Sequence, residues 1–339
     1  MTESPADIIR DLSLPGRLMK LGFLFEHPEW SADLIAEFHR QGVDIEPVNV
    51  AELAFDTSRA KPEWAGAINR INIMPSADRK PSVAFHVQHY LGWLENSGIR
   101  VINGSRCHAI GASKAQQNGI FAGLGLDHPR AIAVYRPEEV LEAADQIGYP
   151  VIFKPNIGGS GSGVSLHRTR ESLDEAVRFK TLDFGVDRTA VLQEYVESDG
   201  FVYRVEMLGD ELFYSIRQPI QEGSFNYCAA DGCSTIEDNG QGDDAFETED
   251  DFDFCVIGGE SRIEKFKPED EVVESVAAVI TASGGDLGGV EFFMDVRSGK
   301  PKYYDFNPYS NFVSNGQALL GFSPEARYVE FVTGLFETG

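Results

Sequence analysis

The stretch Pro150-Val151-Ile152-Phe153-Lys154-Pro155-Asn156-Ile157-Gly158-Gly159-Ser160-Gly161-Ser162-Gly163-Val164-Ser165-Leu166 decides how the rest of the chain is read. An apolar run ends on a lysine, a glycine-rich stretch follows, and Val164-Ser165-Leu166 restores an extended pattern. A lysine closing a buried apolar run is costly unless an anion meets it. Glycines carry no Cβ, so their backbone N–H groups can close over phosphate oxygens. The competing reading is a surface turn whose lysine snorkels to water, and the segment alone does not choose between the two. It is no Walker loop, because the lysine precedes the glycines and no Gly-Lys-Ser/Thr follows. Nor is it a dinucleotide fingerprint, since the chain continues as a strand instead of opening a helix.

Working outward, residues 17–105 read as a small parallel-sheet unit. Apolar Leu21–Phe25 suits a buried strand, and Ser31–Gln41 has helical spacing closed by Gly42. Val43–Val50 reads as a strand, Val83–Asn96 as a helix and Ile99–Asn103 as a short strand. Beyond Ser105, helices are expected over Lys114–Gly123, Pro137–Ile147, Arg170–Lys180 and Glu269–Ala282. Strands are expected over Ala131–Tyr135, Tyr149–Lys154, Val191–Val196, Val202–Leu208, Leu212–Ile220, Gly289–Val296 and Pro301–Asn307. Glu237–Asp253 holds nine acidic side chains and no basic one, which predicts a mobile surface loop.

Three further constellations carry chemistry. Gln193-Glu194-Tyr195-Val196 ends a strand and can offer backbone groups to an adenine edge; taken alone it fits an ordinary strand with alternating polar residues better. Arg204 and Arg217 lie on two strands joined at Gly209-Asp210. A two-residue turn sets Arg204 opposite Ser215 and so puts both guanidinium groups on one face, where an anion would separate them. A one-residue bulge would remove that argument. Centring the next turn on Ser298 pairs Glu291 with Asp305 and sets Asn307 opposite Gly289. Facing carboxylates destabilise a sheet unless a cation neutralises them, and Mg2+ fits better here than two solvent-facing acids.

The 339 residues allow two or three subdomains, and the net charge of −25 argues against nucleic acid. No apolar run reaches the ~20 residues a membrane helix needs, and Met1–Arg10 lacks a signal-peptide order, so a cytoplasmic location is expected. Four cysteines make no disulfide framework. Cys228, Cys233 and Cys255 fit buried or free thiols better than a zinc site.

In this order and spacing the motifs resemble the ATP-grasp superfamily, especially its RimK-like and D-alanine–D-alanine-ligase-like carboxylate–amine ligases. The resemblance runs from about Leu18 to the C-terminus. It implies a mixed α/β and α+β architecture, an ATP-grasp fold behind an N-terminal parallel-sheet (pre-ATP-grasp) domain. The expected division is residues 1–105, a small lid subdomain 106–190, and a C-terminal subdomain 191–339 with an acidic insert 224–262. Ala112-Ser113-Lys114 supplies the first ATP lysine, Lys154 the second, and Gly159, Ser160, Gly161, Ser162 and Gly163 the loop over the triphosphate. Gln193, Glu194, Tyr195 and Val196 match the adenine hinge, with the Val196 N–H toward the ring. Glu291, Asp305 and Asn307 match the Mg2+ ligands, with Mn2+ as a substitute, and Arg204 and Arg217 stand where RimK-like enzymes meet the acyl phosphate and acceptor. The usual ribose acid is replaced by Val202, which shifts that contact to Asp199 or Glu197. Pro308-Tyr309-Ser310-Asn311-Phe312 replaces a small proline-containing turn beside the substrate pocket.

The implied reaction is amide formation from a small-molecule carboxylate and amine, amino acids or peptides by the family's habit, through an acyl phosphate with release of ADP and phosphate. No nucleic acid or membrane partner is expected, and a homodimer is left open. An ATP-grasp kinase acting on an alcohol and a nucleotide-binding regulator without turnover are the alternatives.

Overall fold

In the computed structural model the described residues are 20–72, 82–159, 161–220, 263–309, 312–313 and 315–337. The readings for residues 1–10, Ser160, the turn residues Ser310 and Asn311, the acidic stretch 237–253 and Cys228, Cys233 and Cys255 lie outside them.

Five residues with no polar face must be covered on both sides, and Leu21–Phe25 forms β1, an inner strand of a parallel sheet. Helix α1 (Pro28–Arg40) starts earlier than expected because Pro28 fits its first turn, and it turns Leu34 and Phe38 inward. Then come β2 (Ile45–Asn49), β3 (Gly66–Asn69), α2 (Val83–Asn96) and β4 (Val101–Ile102). The order β2-β1-β3-β4 is parallel throughout. Sequence reading missed β3, whose four buried residues are too few to show a period.

The next unit holds α3 (Ser105–Ala112), also missed, α4 (Lys114–Gly123) and β5 (Ala131–Val134). A single 3-10 turn, Pro137–Glu139, leads into α5 (Val140–Ile147). Strands β6 (Val151–Pro155) and β7 (Ser165–His167), helix α6 (Arg170–Phe179) and β8 (Ala190–Glu194) follow. They make an antiparallel sheet, β5-β8-β6-β7, whose core of Val140, Val151, Phe153, Leu173 and Leu192 lies under α5 and α6.

The last sheet runs β11-β10-β9-β12-β13 and is antiparallel. It consists of β9 (Phe201–Leu208), β10 (Glu211–Pro219), β11 (Glu264–Lys265), β12 (Leu287–Met294) and β13 (Pro301–Asn307), with α7 (Asp270–Ala282) between β11 and β12. Two unforeseen helices, α8 (Gly316–Leu320) and α9 (Pro324–Glu337), end the described chain. One face of this sheet packs Tyr203, Val205, Val290 and Phe292 against Val276 and Val279 of α7. On the other, Leu208, Tyr214, Ile216 and Leu287 share a core with Leu21, Phe23, Ile68 and Ile102 of the parallel sheet and with Tyr328 and Val332 of α9.

Candidate active site

Lys154 sits near the end of β6 with 8% of its surface exposed. Burial, with the Lys114 charge adding to it, pushes its ammonium down to about 7, against the pull of Asp305 and Glu291. Its Nζ lies 5.9 Å from the centre of the Tyr304 ring, so the four-stranded sheet reaches the five-stranded one at this lysine. Lys114 opens α4, where Ser113 caps the helix by accepting from the Gln116 N–H. The carbonyl of Asn156 accepts from the Lys114 N–H at 3.1 Å, and its side-chain oxygen accepts from the Ala115 N–H at 2.9 Å. That stitching holds the start of α4 against the end of β6 and brings the two lysines together. The ammonium of Lys114 pairs with the Asp305 carboxylate.

The loop after Lys154 turns on glycine. Gly161 and Gly163 have φ of +75° and +70°, and a Cβ on Gly163 would sit 2.7 Å from Pro155 Cγ. The N–H of Ser162 reaches the Gly159 carbonyl at 3.1 Å.

Opposite the lysines, Glu291 pairs directly with Asp305 across β12 and β13, and Asn307 stands opposite Gly289, the pairing expected from sequence. Nearer the turn the register slips by one residue, because β13 bulges between Tyr303 and Asp305. The bulge delivers Tyr304, whose hydroxyl donates to Glu291 at 2.6 Å and whose ring stacks on Phe293. Burial and the Asp305 charge push Glu291 up to about 6, with Arg204 and the Tyr304 hydroxyl opposing. No cluster of three or more His, Cys, Asp or Glu side chains set for a metal occurs among the described residues. Two carboxylates and an amide oxygen form a hard, incomplete donor set, which suits a cation that takes its other ligands from water and phosphate.

The two arginines part company. A bulge in β10 between Leu212 and Tyr214 sets Arg204 opposite Ile216 and Arg217 opposite Tyr203. The shared face expected for them is therefore wrong: adjacent residues on a strand point to opposite faces. Arg204 is buried, pairs with Glu206 and approaches Glu291 at 3.9 Å, while its Nη2 is buried with no partner. Arg217 turns away to Glu264 at 2.9 Å and stacks over Phe201 at 4.5 Å.

In β8, Gln193 is buried and its Oε1 has no partner. Glu194 is engaged through its side chain, accepting from the Arg130 N–H at 3.1 Å and lying 3.7 Å from Lys302. The Tyr195 N–H reaches the Pro150 carbonyl at 3.3 Å, and Val196 follows it out of the strand. Asp199 accepts from the Tyr203 hydroxyl at 2.6 Å, on the Arg217 side of the sheet, and does not join the lysine–carboxylate cluster. Glu197 lies 3.7 Å from Arg297 and is exposed.

Sequence reading missed Glu206, Tyr304 and Gln218. Glu206 follows Arg204 by two residues, so strand alternation could have found it. Gln218, opposite Val202, is buried with an unpartnered Oε1 on the Arg204 face. Tyr304 could not be found, because only the bulge turns it inward.

Comparison with known proteins bears on the fold. Residues 120–197 match the family profile of the carbamoyl-phosphate synthase L chain, ATP binding domain. A D-alanine–D-alanine ligase of Halorhodospira halophila is 34% identical over 121 residues, 36% of this chain and 38% of that protein. A formate-dependent phosphoribosylglycinamide formyltransferase of Prochlorococcus marinus is 27% identical over 218 residues, 63% of this chain and 49% of that protein. The chain thus spans half the length of these relatives or less. Among solved structures, the ATP-grasp ligase PsnB complexed with minimal precursor superposes with a TM-score of 0.62 at 14% identity, over 93% of this chain and 99% of that one. The D-alanine–D-alanine ligase of Bacillus anthracis complexed with ATP gives 0.62 at 15% identity, over 94% and 98%.

Proposed function

We propose that this chain, whose fold is the ATP-grasp fold, is an ATP-dependent carboxylate–amine ligase. The observation that carries the reading is a buried lysine and an unpartnered arginine nitrogen beside a carboxylate pair. Asp305 and Glu291 offset part of the lysine's burial and Glu206 part of the arginine's, and a triphosphate and an acyl phosphate would supply the rest.

Gln193 meets the adenine amino group with its open Oε1, and the backbone of Glu194 to Val196 lines the ring. Lys154 and Lys114 hold the phosphates, and the loop N–H groups of Gly159 to Gly163 close over them. Mg2+ held by Glu291, Asp305 and Asn307 would neutralise phosphate oxygens. A substrate carboxylate oxygen bonds to the γ-phosphorus while the bond to ADP breaks. The amine nitrogen then bonds to the acyl carbon, phosphate leaves with the electron pair and the amine loses its proton. Arg204 faces the charge that develops in both steps. Amino acids or small peptides are the substrates of this reading. We assign the nucleotide cleft to the seam between residues 106–190 and 191–339, and the substrate side to the parallel-sheet unit.

The test is a phosphate-release screen over paired amino acids and amines, with the product's mass measured. ADP, free phosphate and an amide in equal amounts support the ligase. A phosphorylated alcohol without free phosphate, or ATP binding with no turnover across the screen, overturns it.

A further inference from the structure

The turn after Asn307 is where this chain leaves the pattern it otherwise resembles, and its Tyr309 is buried and anchored at both ends. The Tyr309 N–H donates to Asn307 Oδ1 at 3.0 Å, which fixes the amide's orientation and leaves its second lone pair free. At the other end the hydroxyl is buried. It accepts from Asn69 Nδ2 at 2.7 Å, and lies 3.2 Å from both His108 Nδ1 and the Asn103 carbonyl.

Asn69 ends β3 of the parallel sheet and also donates to the Asn103 carbonyl at 2.9 Å. Asn103, in turn, donates to the carbonyls of Pro308 at 2.7 Å and Leu287 at 3.2 Å, so it grips the same turn and the start of β12. His108 is fully buried and held neutral, its imidazole pushed down to about 4 by burial, so its protonation does not change across the physiological range. The Asn69, Asn103 and Tyr309 side chains bond one another or the backbone, although His108 Nε2 is buried without a partner, and such a network favours one arrangement.

We infer that Tyr309 is a positioning residue: locked by Asn69 of the parallel sheet, it orients Asn307 and makes cation binding depend on the docking of that sheet. The inference rests on the metal-site reading above.

The experiment is calorimetric titration of the full chain with ADP, in Mg2+ and in chelator. Tyr309→Phe removes one hydroxyl and keeps the ring. Loss of an outer-shell partner lowers metal affinity ~10-fold at the low end, so Mg2+-supported ADP binding should weaken by about that factor. Binding in chelator should not change. Asn69→Ala should do the same from the other end of the relay, and the double variant should be little worse than either single one. Equal weakening with and without Mg2+ would mean general loosening and overturns the inference, as does a Tyr309→Phe protein with unaltered Mg2+ dependence. Additive effects of the two substitutions also overturn it. If ADP binding by the unaltered protein ignores Mg2+, the metal-site reading itself fails and takes the inference with it.

Discussion

Lys154 is costly to bury as a cation, and that cost follows its proton. The unfolded chain keeps this proton up to about 10.5 and the folded chain only to about 7, so folding expels a proton between those values. The penalty for burying the cation is therefore full below pH 7 and fades as pH rises toward 10.5. Lys154→Met should raise the thermal midpoint of the nucleotide-free protein, most at pH 6–7 and progressively less toward pH 10. The same substitution should weaken ATP binding roughly 10- to 100-fold, the worth of a charged hydrogen bond. Calorimetry in two buffers of different ionisation enthalpy should show proton uptake when ATP binds at pH 7–8, absent in the variant. A midpoint that does not move, or binding without proton uptake, would remove Lys154 from the phosphate site. Gly289 has a different constraint: a Cβ there would meet Glu206 Oε1 at 2.3 Å, and Glu206 is held by buried Arg204. Gly289→Ala should cost ~1–3 kcal/mol in chemical denaturation, as overpacking does, and should lower turnover by displacing Arg204. Wild-type stability and turnover together would show that the Glu206 side chain can move aside freely.

Between residue and fold, the bulges decide which side chains meet. Without the bulge in β10, Arg217 would share the face of Arg204; with it, Arg217 faces Glu264 and Phe201. Arg204→Ala should lower kcat ~10²–10³-fold, the loss of one transition-state donor, with little change in ATP KM. Arg217→Ala, a surface change, should shift both by no more than about twofold. Equal damage from both substitutions would mean that the β10 bulge does not separate them in solution. Elements with a full period or a clear stop were legible in the sequence: α2, α4 and β13 fall where their patterns put them. The Glu291–Asp305 pair was legible too, because counting from the turn and the later slip happen to agree at that rung. Bulges leave no mark in a two-residue period, so the arginine register was misread and Tyr304 overlooked. Strand β3 was hidden for another reason. Its Gly66 exists to admit the Phe336 ring of α9, 2.0 Å from where a Cβ would lie, and no local pattern records a contact 270 residues away.

Across the whole molecule, the parallel sheet is not a bystander to the proposed nucleotide cleft. Its inner face shares one apolar core with β9, β10, β12 and α9, and Arg100 pairs with Asp286 at 3.0 Å along the same seam. A shared core of this kind should make the two units unfold together, since neither can expose its face without the other losing cover. The chain offers a direct test, because Trp30, Trp64 and Trp93 all belong to the parallel unit while far-ultraviolet circular dichroism reads every helix and sheet. Leu208 lies at the end of β9, 3% exposed, and enters the shared core from the five-stranded sheet, which carries none of the three tryptophans. Leu208→Ala should cost ~2–5 kcal/mol, the range for truncating a buried leucine. In urea the fluorescence midpoint and the dichroism midpoint should fall by the same amount, with unchanged slopes. If dichroism shifts while tryptophan fluorescence holds its wild-type midpoint, the parallel sheet unfolds as its own unit. The seam would then be a contact between separate bodies, and Asn69 could be undocked from Tyr309 without unfolding the proposed metal site.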